Sequence, residues 1–545
     1  MEMLRSLVAL SIVTAVTGLP ARGLGAEKER PAELMEGLGN HHHPIQIHST
    51  EGQEFFDQGM TLVYGFNHDE AVRSFRRAAA LDPNAAMPLW GIAYALGPNI
   101  NLDVDPEHEK AAYEATQKAL ELAKIAPDNE RAYVEALAKR YSSDPKADLK
   151  KLAADFKDAM KDLSKRYPED LDAATLYAES LMDLNPWKLW TNKGKPAAGT
   201  EELIAALESV LRRDPNHLGA NHYYIHALEA SPFPERALPS AARLEKLVSK
   251  SGHLVHMPFH IYLRTGDYEA AAKRNRLAAE ADEAYIKQNH VQGVYPLMYY
   301  NHNLQSLTVA YVMAGKSAEA KKTAAKLVTN VAPAVAEMPM AEFLLPMSNI
   351  VALRFQRWAE ILKSREPKEK TLATRAFWHY ARGIALAAKG DLDGAGKEQQ
   401  AFAADAGHVP AHLPWGYNTA KDVLALASSV LDARIAAAKG ERKAAIAAWK
   451  KAAEAEDQLS YDEPPDWYYP VRESLGAALF LDGQFEKSEE TFREDLERNR
   501  RNPRSLFGLW ESLKAQKKSV DAEWVRRQFQ EAWRNADVEL TMADL

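Results

Sequence analysis

Cysteine is absent from the 545 residues. That excludes disulfides, thiolate metal ligands and a cysteine nucleophile, so any metal must be held by nitrogen and oxygen donors. No basic block is present either, and the formal charge is −8, which argues against a nucleic-acid surface. The apolar run Ser6–Gly18 is too short for a comfortable membrane span. It follows Arg5 and precedes Leu24-Gly25-Ala26, the order of a secretory signal. Cleavage near Ala26 is expected, leaving an exported protein, periplasmic or secreted, with no transmembrane span.

What remains is helical in composition. Ala, Leu, Glu and Lys dominate, β-branched runs are scarce, and 46% hydrophobic residues can fill a large core. Gly59, Ala71, Phe75, Ala78 and Pro83 follow the tetratricopeptide pattern over Gly52–Ala85, with Phe55 in the usual aromatic slot. Small residues let two helices approach closely, and Pro83 ends the second helix. A turn glycine followed five residues later by a small residue recurs at Gly266/Ala271, Gly315/Ala320, Gly390/Ala395, Gly440/Ala445 and Gly483/Ser488. Gly383 and Gly476 take the small slot on their first helices, and Phe492 in Val471–Asn502 matches Phe75. The spacing predicts an all-α solenoid of roughly ten stacked helical hairpins.

Segmentation follows the same punctuation. Residues 1–26 read as the signal, 27–50 as a histidine-rich lead-in, and 51–215 as N-terminal hairpins. Residues 216–330 read as histidine-rich central hairpins and 331–545 as C-terminal hairpins. Asn185–Thr200 and Ser460–Pro470 break the pattern; such insertions sit on a binding side or serve as linkers.

Eight of the 17 histidines fall between positions 217 and 302. Aligned through Gly266 and Ala271, His253, His256 and His260 share one face of a first helix. His222 and His226 take the second and third of these places on the preceding first helix, with Glu229 one turn beyond His226, and His302 takes the first of them on the following one. In tetratricopeptide proteins these places face the concave groove. Neighbouring first helices lie about 10 Å apart, within reach of a shared ion. The expected site is therefore a metal ion (zinc, copper, iron or manganese) held by His222, His226, Glu229, His253, His256, His260 and His302. The zinc-protease HExxH pattern is excluded, because Tyr223 stands where its glutamate belongs. The alternative is a set of groove histidines hydrogen-bonded to tyrosines, with no metal. His41, His42 and His43, with His68, form a candidate second cluster. His408 and His412 read as structural.

The segments HHHPI, PNHLGANHYYIHALEAS, SGHLVHMPFHIYLRTGDY and DEPPDWYYPVR resemble a family of exported bacterial tetratricopeptide proteins named only for its repeats. The resemblance covers nearly the whole chain after the signal and implies the fold strongly and the chemistry barely. Relatives usually read HN-x-HF at Tyr300–Leu307; here Gln305 replaces the second histidine. Three functions fit: a metal-dependent enzyme, a scaffold holding a peptide or protein in its groove, or a metal-delivery protein with His41–His43 as capture arm.

Overall fold

The computed structural model describes residues 32–336, 338–368, 370–467 and 469–545. The expected signal and cleavage site lie outside the described residues. Nearly all regular structure is helical; the described strands are Pro414–Trp415 and Asn418–Thr419, two residues each. The all-α solenoid expectation holds. No helix among the described residues is long and apolar enough to cross a membrane.

Helix packing divides the described chain into two compact units, residues 32–261 with 277–295, and residues 262–276 with 296–545. The 216–330 segment drawn from the histidines is thus parted between them.

In chain order the helices are α1 Thr50–Tyr64, α2 His68–Leu81, α3 Met87–Ala95, α4 Pro106–Ala123, α5 Asp128–Leu137, α6 Leu149–Arg166, α7 Leu171–Met182, α8 Thr200–Arg213, α9 Leu218–Glu229, α10 Leu238–Leu247, α11 Gly252–His256, α12 Pro258–Thr265 and α13 Tyr268–Asn289. They continue as α14 Asn301–Met313, α15 Ser317–Val331, α16 Met347–Arg354, α17 Trp358–Lys363, α18 Leu372–Ala388, α19 Leu392–His408, α20 Ala420–Ala438, α21 Arg442–Gln458, α22 Val471–Leu481, α23 Phe485–Arg498, α24 Pro503–Ala515 and α25 Ser519–Ala532.

The turn glycines do what their spacing requires. Gly266, Gly315, Gly390, Gly440 and Gly483 have φ of 81°, 71°, 82°, 78° and 78°. The next residue's N–H returns to the carbonyl five residues back, as in Asp391 to Leu386 and Gln484 to Leu479. That closes the first helix and turns the chain into the second.

Aromatic keys set the close approaches. A Cβ on Gly59 of α1 would lie 2.4 Å from the Phe75 ring, and one on Gly91 of α3 2.6 Å from it. Phe75 on α2 therefore packs against both flanking first helices. Phe492 on α23 repeats the arrangement, with Gly476 at 2.7 Å and Gly508 at 2.1 Å. Gly508→Ala is expected to destabilise by about 1–3 kcal/mol, because the buried ring must move. Gly396→Ala, in α19 with open space around it, is expected to be neutral or to stabilise by up to about 1 kcal/mol. Urea unfolding of the two variants measures both, and equal shifts would remove the aromatic key from the account.

The lead-in is stitched to four helices. Ile45, Gln46 and His48 donate backbone N–H groups to Gln53 of α1, Glu130 of α5 and Asp82 after α2, and His43 Nδ1 reaches Asp172 of α7.

Candidate metal centre

The site is built in the unit of residues 32–261 and 277–295. Helix α9 begins at His217, whose Nδ1 accepts the Ala220 N–H at 3.2 Å as its cap. All twelve residues of α9 are buried, so its polar side chains must find partners inside. His253 and His256 lie on α11, and His260 on α12. The single first helix expected over 252–265 breaks at Met257, because Pro258 supplies no N–H to carry the ladder through.

Three imidazoles have their Nδ1 atoms committed outward. His222 Nδ1 donates to the Tyr64 carbonyl at 2.6 Å. His226 Nδ1 donates to Glu229 Oε1 at 2.7 Å, and His260 Nδ1 to Glu229 Oε2. A neutral imidazole carries one N–H, so these bonds leave the three Nε2 atoms as lone pairs. The Nε2 atoms then meet other imidazoles: His222 faces His253 Nε2 at 3.1 Å, and His260 faces His256 Nε2 at 2.8 Å. One ligand atom each from His222, His226 and His253 lies within 4.8 Å of the others.

Electrostatics favours neutral rings at His222 and His253. Burial, then the neighbouring His226, holds His222 well below the usual imidazole range; burial, then His222 and His256, does the same for His253. Burial opposes ionisation of Glu229, but His260 and His226 outweigh it and hold the carboxyl below its ordinary value. Neutral His222 and His253 rings leave nitrogen lone pairs that a cation can take, and the ionised Glu229 carboxylate stands behind His226 and His260.

Two aromatic rings roof the cluster. Phe66 lies 4.7 Å from His222, 5.1 Å from His253 and 5.9 Å from His226, and Trp187 lies 5.6 Å from His226. Phe66 stands five residues before Ala71, in the slot that five other hairpins give to glycine. It keeps the left-handed turn, with φ 53° and an Asn67 N–H bond to Leu62 O. Trp187 also has positive φ, at 57°. A non-glycine there costs about 1–2 kcal/mol, and the neighbouring residues must offset it. Gln356 and Lys517 hold the same slot elsewhere; Lys517 is exposed and Gln356 half-buried, whereas Phe66 is 2% exposed.

Of the residues named from sequence, His222, His226, His253, His256, His260 and Glu229 come together here. Glu229 stands behind two imidazoles as their common acceptor. His302 belongs to the other unit, where its Nε2 lies 3.4 Å from Glu463. Tyr64, Phe66 and Trp187 were missed; Phe66 carried a signal, an aromatic residue in a glycine slot. The groove exposure expected for the histidines is absent, since none of the five exceeds 4% exposure.

The second cluster regroups. His41, His43 and His217 surround Asp172, with Nε2–Oδ1 distances of 3.3 Å for His41 and 3.2 Å for His217. His43 Nδ1 donates to Asp172 Oδ2 at 2.8 Å, and the Tyr64 hydroxyl donates to Oδ1. His42 turns to solvent and pairs with Asp57 at 2.7 Å. His68 joins none of the metal-like groups among the described residues; burial pushes its pKa down to about 4. The cluster borders a cavity of about 860 Å³. Because His217 Nδ1 accepts a backbone N–H, its proton sits on Nε2 facing Asp172. This is a proton-donor shell around a carboxylate.

That shell has a pH signature. Burial opposes the charges, but Asp172 outweighs it and raises His41 and His43 above 6.5, while the histidines hold Asp172 well below 3.8. A lowered carboxyl stabilises above its unfolded pKa, and the contribution fades as pH falls. Raised histidines stabilise fully below their unfolded pKa and lose the contribution as pH rises through the folded one. The stability difference between parent and Asp172→Asn is therefore expected to peak between about pH 4 and 6.5. A difference that stays flat across thermal melts from pH 4 to 9 contradicts it.

No family model and no curated protein matches the chain. Solved structures similar to it include a human IFIT1 dimer with m7Gppp-AAAA, 13% identical at TM-score 0.33, covering 90% of this chain and 91% of that one. A human IFIT1 dimer with PPP-AAAA is 13% identical at TM-score 0.32, covering 91% and 92%. Likeness this low carries no inference to this chain.

Proposed function

We propose that this is an exported helical-repeat protein that holds a metal ion on the Nε2 atoms of His222, His226 and His253, with His256 and His260 extending the donor row. The observation that supports it is the outward commitment of three Nδ1–H groups, two of them to one buried carboxylate. That is the carboxylate–histidine arrangement that orients imidazole ligands and raises their basicity. Glu229 acts as the orienting carboxylate. With only imidazole nitrogen donors, zinc or copper(II) suits the set better than manganese, which prefers carboxylate oxygen. Three imidazoles leave a four-coordinate ion one open position, beneath the Phe66 and Trp187 rings.

A second reading has its own observation. The 3.1 Å and 2.8 Å Nε2 contacts are also N–H···N hydrogen-bond lengths, so the same cluster can stand as a metal-free polar core. Elemental analysis of protein purified without a His-tag or metal column separates the two. The metal reading expects about one ion per chain that survives dialysis; the polar-core reading expects only traces. Export is tested by N-terminal sequencing of the secreted or periplasmic fraction. A start close to residue 27 is expected, and a chain retaining Met1 contradicts it.

A further inference from the structure

Asp172 in the first turn of α7, His217 at the cap of α9 and His41 in the lead-in come from three separate segments of one unit. All three side chains are at least nine-tenths buried. One ligand atom from each lies within 4.8 Å of the others. Asp172 Oδ1 is 3.3 Å from His41 Nε2 and 3.2 Å from His217 Nε2. At these distances direction decides, and neither nitrogen is aimed well enough to bond the oxygen: both are buried without a hydrogen-bond partner. Atoms that share an ion have this spacing. Ligands at about 2.1 Å from one ion stand about 3.0 Å apart in octahedral and about 3.4 Å apart in tetrahedral geometry.

Behind the carboxylate, His43 Nδ1 donates to Oδ2 at 2.8 Å, and the Tyr64 hydroxyl donates to Oδ1. Such bonds are the outer partners that orient a ligating carboxylate. His41, Asp172 and His217 also line the cavity of about 860 Å³, together with Asn40, Asn129 and Asn216. The cavity supplies an entry path and room for further ligands. One cost falls on His217. Its Nδ1 accepts the Ala220 N–H at 3.2 Å, so ligation through Nε2 moves the ring's single N–H to Nδ1 and gives up that cap. A cap is worth about tenfold in an equilibrium constant. A metal ligand supplies about 10²–10³, so ligation prevails.

We infer that His41 Nε2, His217 Nε2 and Asp172 Oδ1 form a second site, for a divalent cation of the iron(II) or manganese(II) class, with its remaining coordination positions open to the cavity. Two imidazoles and one carboxylate with open positions are the donor set of that class. The site uses none of His222, His226, His253, His256 and His260, and it does not rest on the metal reading made for them.

The test adds Mn²⁺ alone to the full chain after dialysis against a chelator. Manganese is poorly suited to the all-imidazole set, so failure here leaves that reading standing. The six-line paramagnetic resonance signal of free Mn²⁺ reads binding, and water-proton relaxation reads open positions. The parent is expected to take up about one Mn²⁺ per chain and to raise the relaxation rate, because water exchanges on the bound ion. Asp172→Asn and His41→Ala are each expected to weaken binding at least about 10-fold. His42→Ala, whose ring faces Asp57 in solvent, and His226→Ala are expected to bind as the parent does. Should Asp172→Asn lose its helical signal, His41→Ala carries the test, since His41 lies in the lead-in outside every helix. A free-ion signal undiminished by excess protein overturns the inference. So does equal affinity in the parent, Asp172→Asn and His41→Ala, which means an adventitious ion only, or bound manganese with no gain in relaxation.

Discussion

His226→Ala is expected to lower retained metal to a small fraction of the parent's while leaving helix content intact. His226 is central to the cluster: one of its ring nitrogens is grouped with His222 and His253, and its Nδ1 bond to Glu229 ties it to His260. If an ion contributes about 12 kcal/mol through three or four ligands, each ligand supplies about 3–4 kcal/mol, or roughly 10²–10³ in affinity. His412→Ala and His42→Ala are the comparisons. His412 is exposed and His42 faces Asp57 in solvent, so both should keep the parent's metal content. Elemental analysis after identical dialysis reads all three. Equal metal in the His226 and His412 variants removes His226 from the site.

Glu229→Ala is expected to be the most destabilising single change in this unit. Glu229 is 1% exposed and accepts from two imidazoles that are themselves buried. Removing it leaves two donors unmet and deletes the negative charge among them, which costs about 3–5 kcal/mol. For a unit of this size that lowers Tm by about 6–20 °C. Metal affinity should fall as well, by about 10–100-fold, the usual effect of losing an orienting carboxylate. Glu229→Gln keeps one acceptor and should fall between parent and Ala in both readouts. If Tm drops while metal affinity is unchanged, Glu229 serves the core and not an ion. A Tm change under about 1 °C would remove it from both roles.

The repeat grammar was legible because it is local. A glycine five residues before a small residue encodes a turn that depends on its own φ, and all five such glycines have it. Phe75 and Phe492 were matched by position alone, and each lies against two glycines. The histidine face was legible for the same reason: i, i+3 and i+4 spacings fix which side chains share a helix face, and His222, His226, His253, His256 and His260 do meet. What surrounds that face was not legible. The Tyr64 carbonyl that orients His222 is 158 residues away in sequence, and no periodicity links α1 to α9. Asp172, which gathers His41, His43 and His217, lies in a degenerate hairpin with no motif around it. Burial was misjudged because the tetratricopeptide numbering assigns these places to an open groove. Here Phe66 and Trp187, from a turn and from an irregular insertion, lie over them.

X-ray absorption at the metal edge of protein purified without a tag addresses the central claim most directly. The account predicts a first shell of nitrogen at about 2.0–2.1 Å, with the outer scattering of at least three imidazole rings. It also predicts that this imidazole scattering is lost or strongly reduced in His226→Ala. A folded protein that carries less than about a tenth of an ion per chain, or an ion whose shell is oxygen without imidazole scattering, contradicts the claim and leaves the histidines as a hydrogen-bonded core.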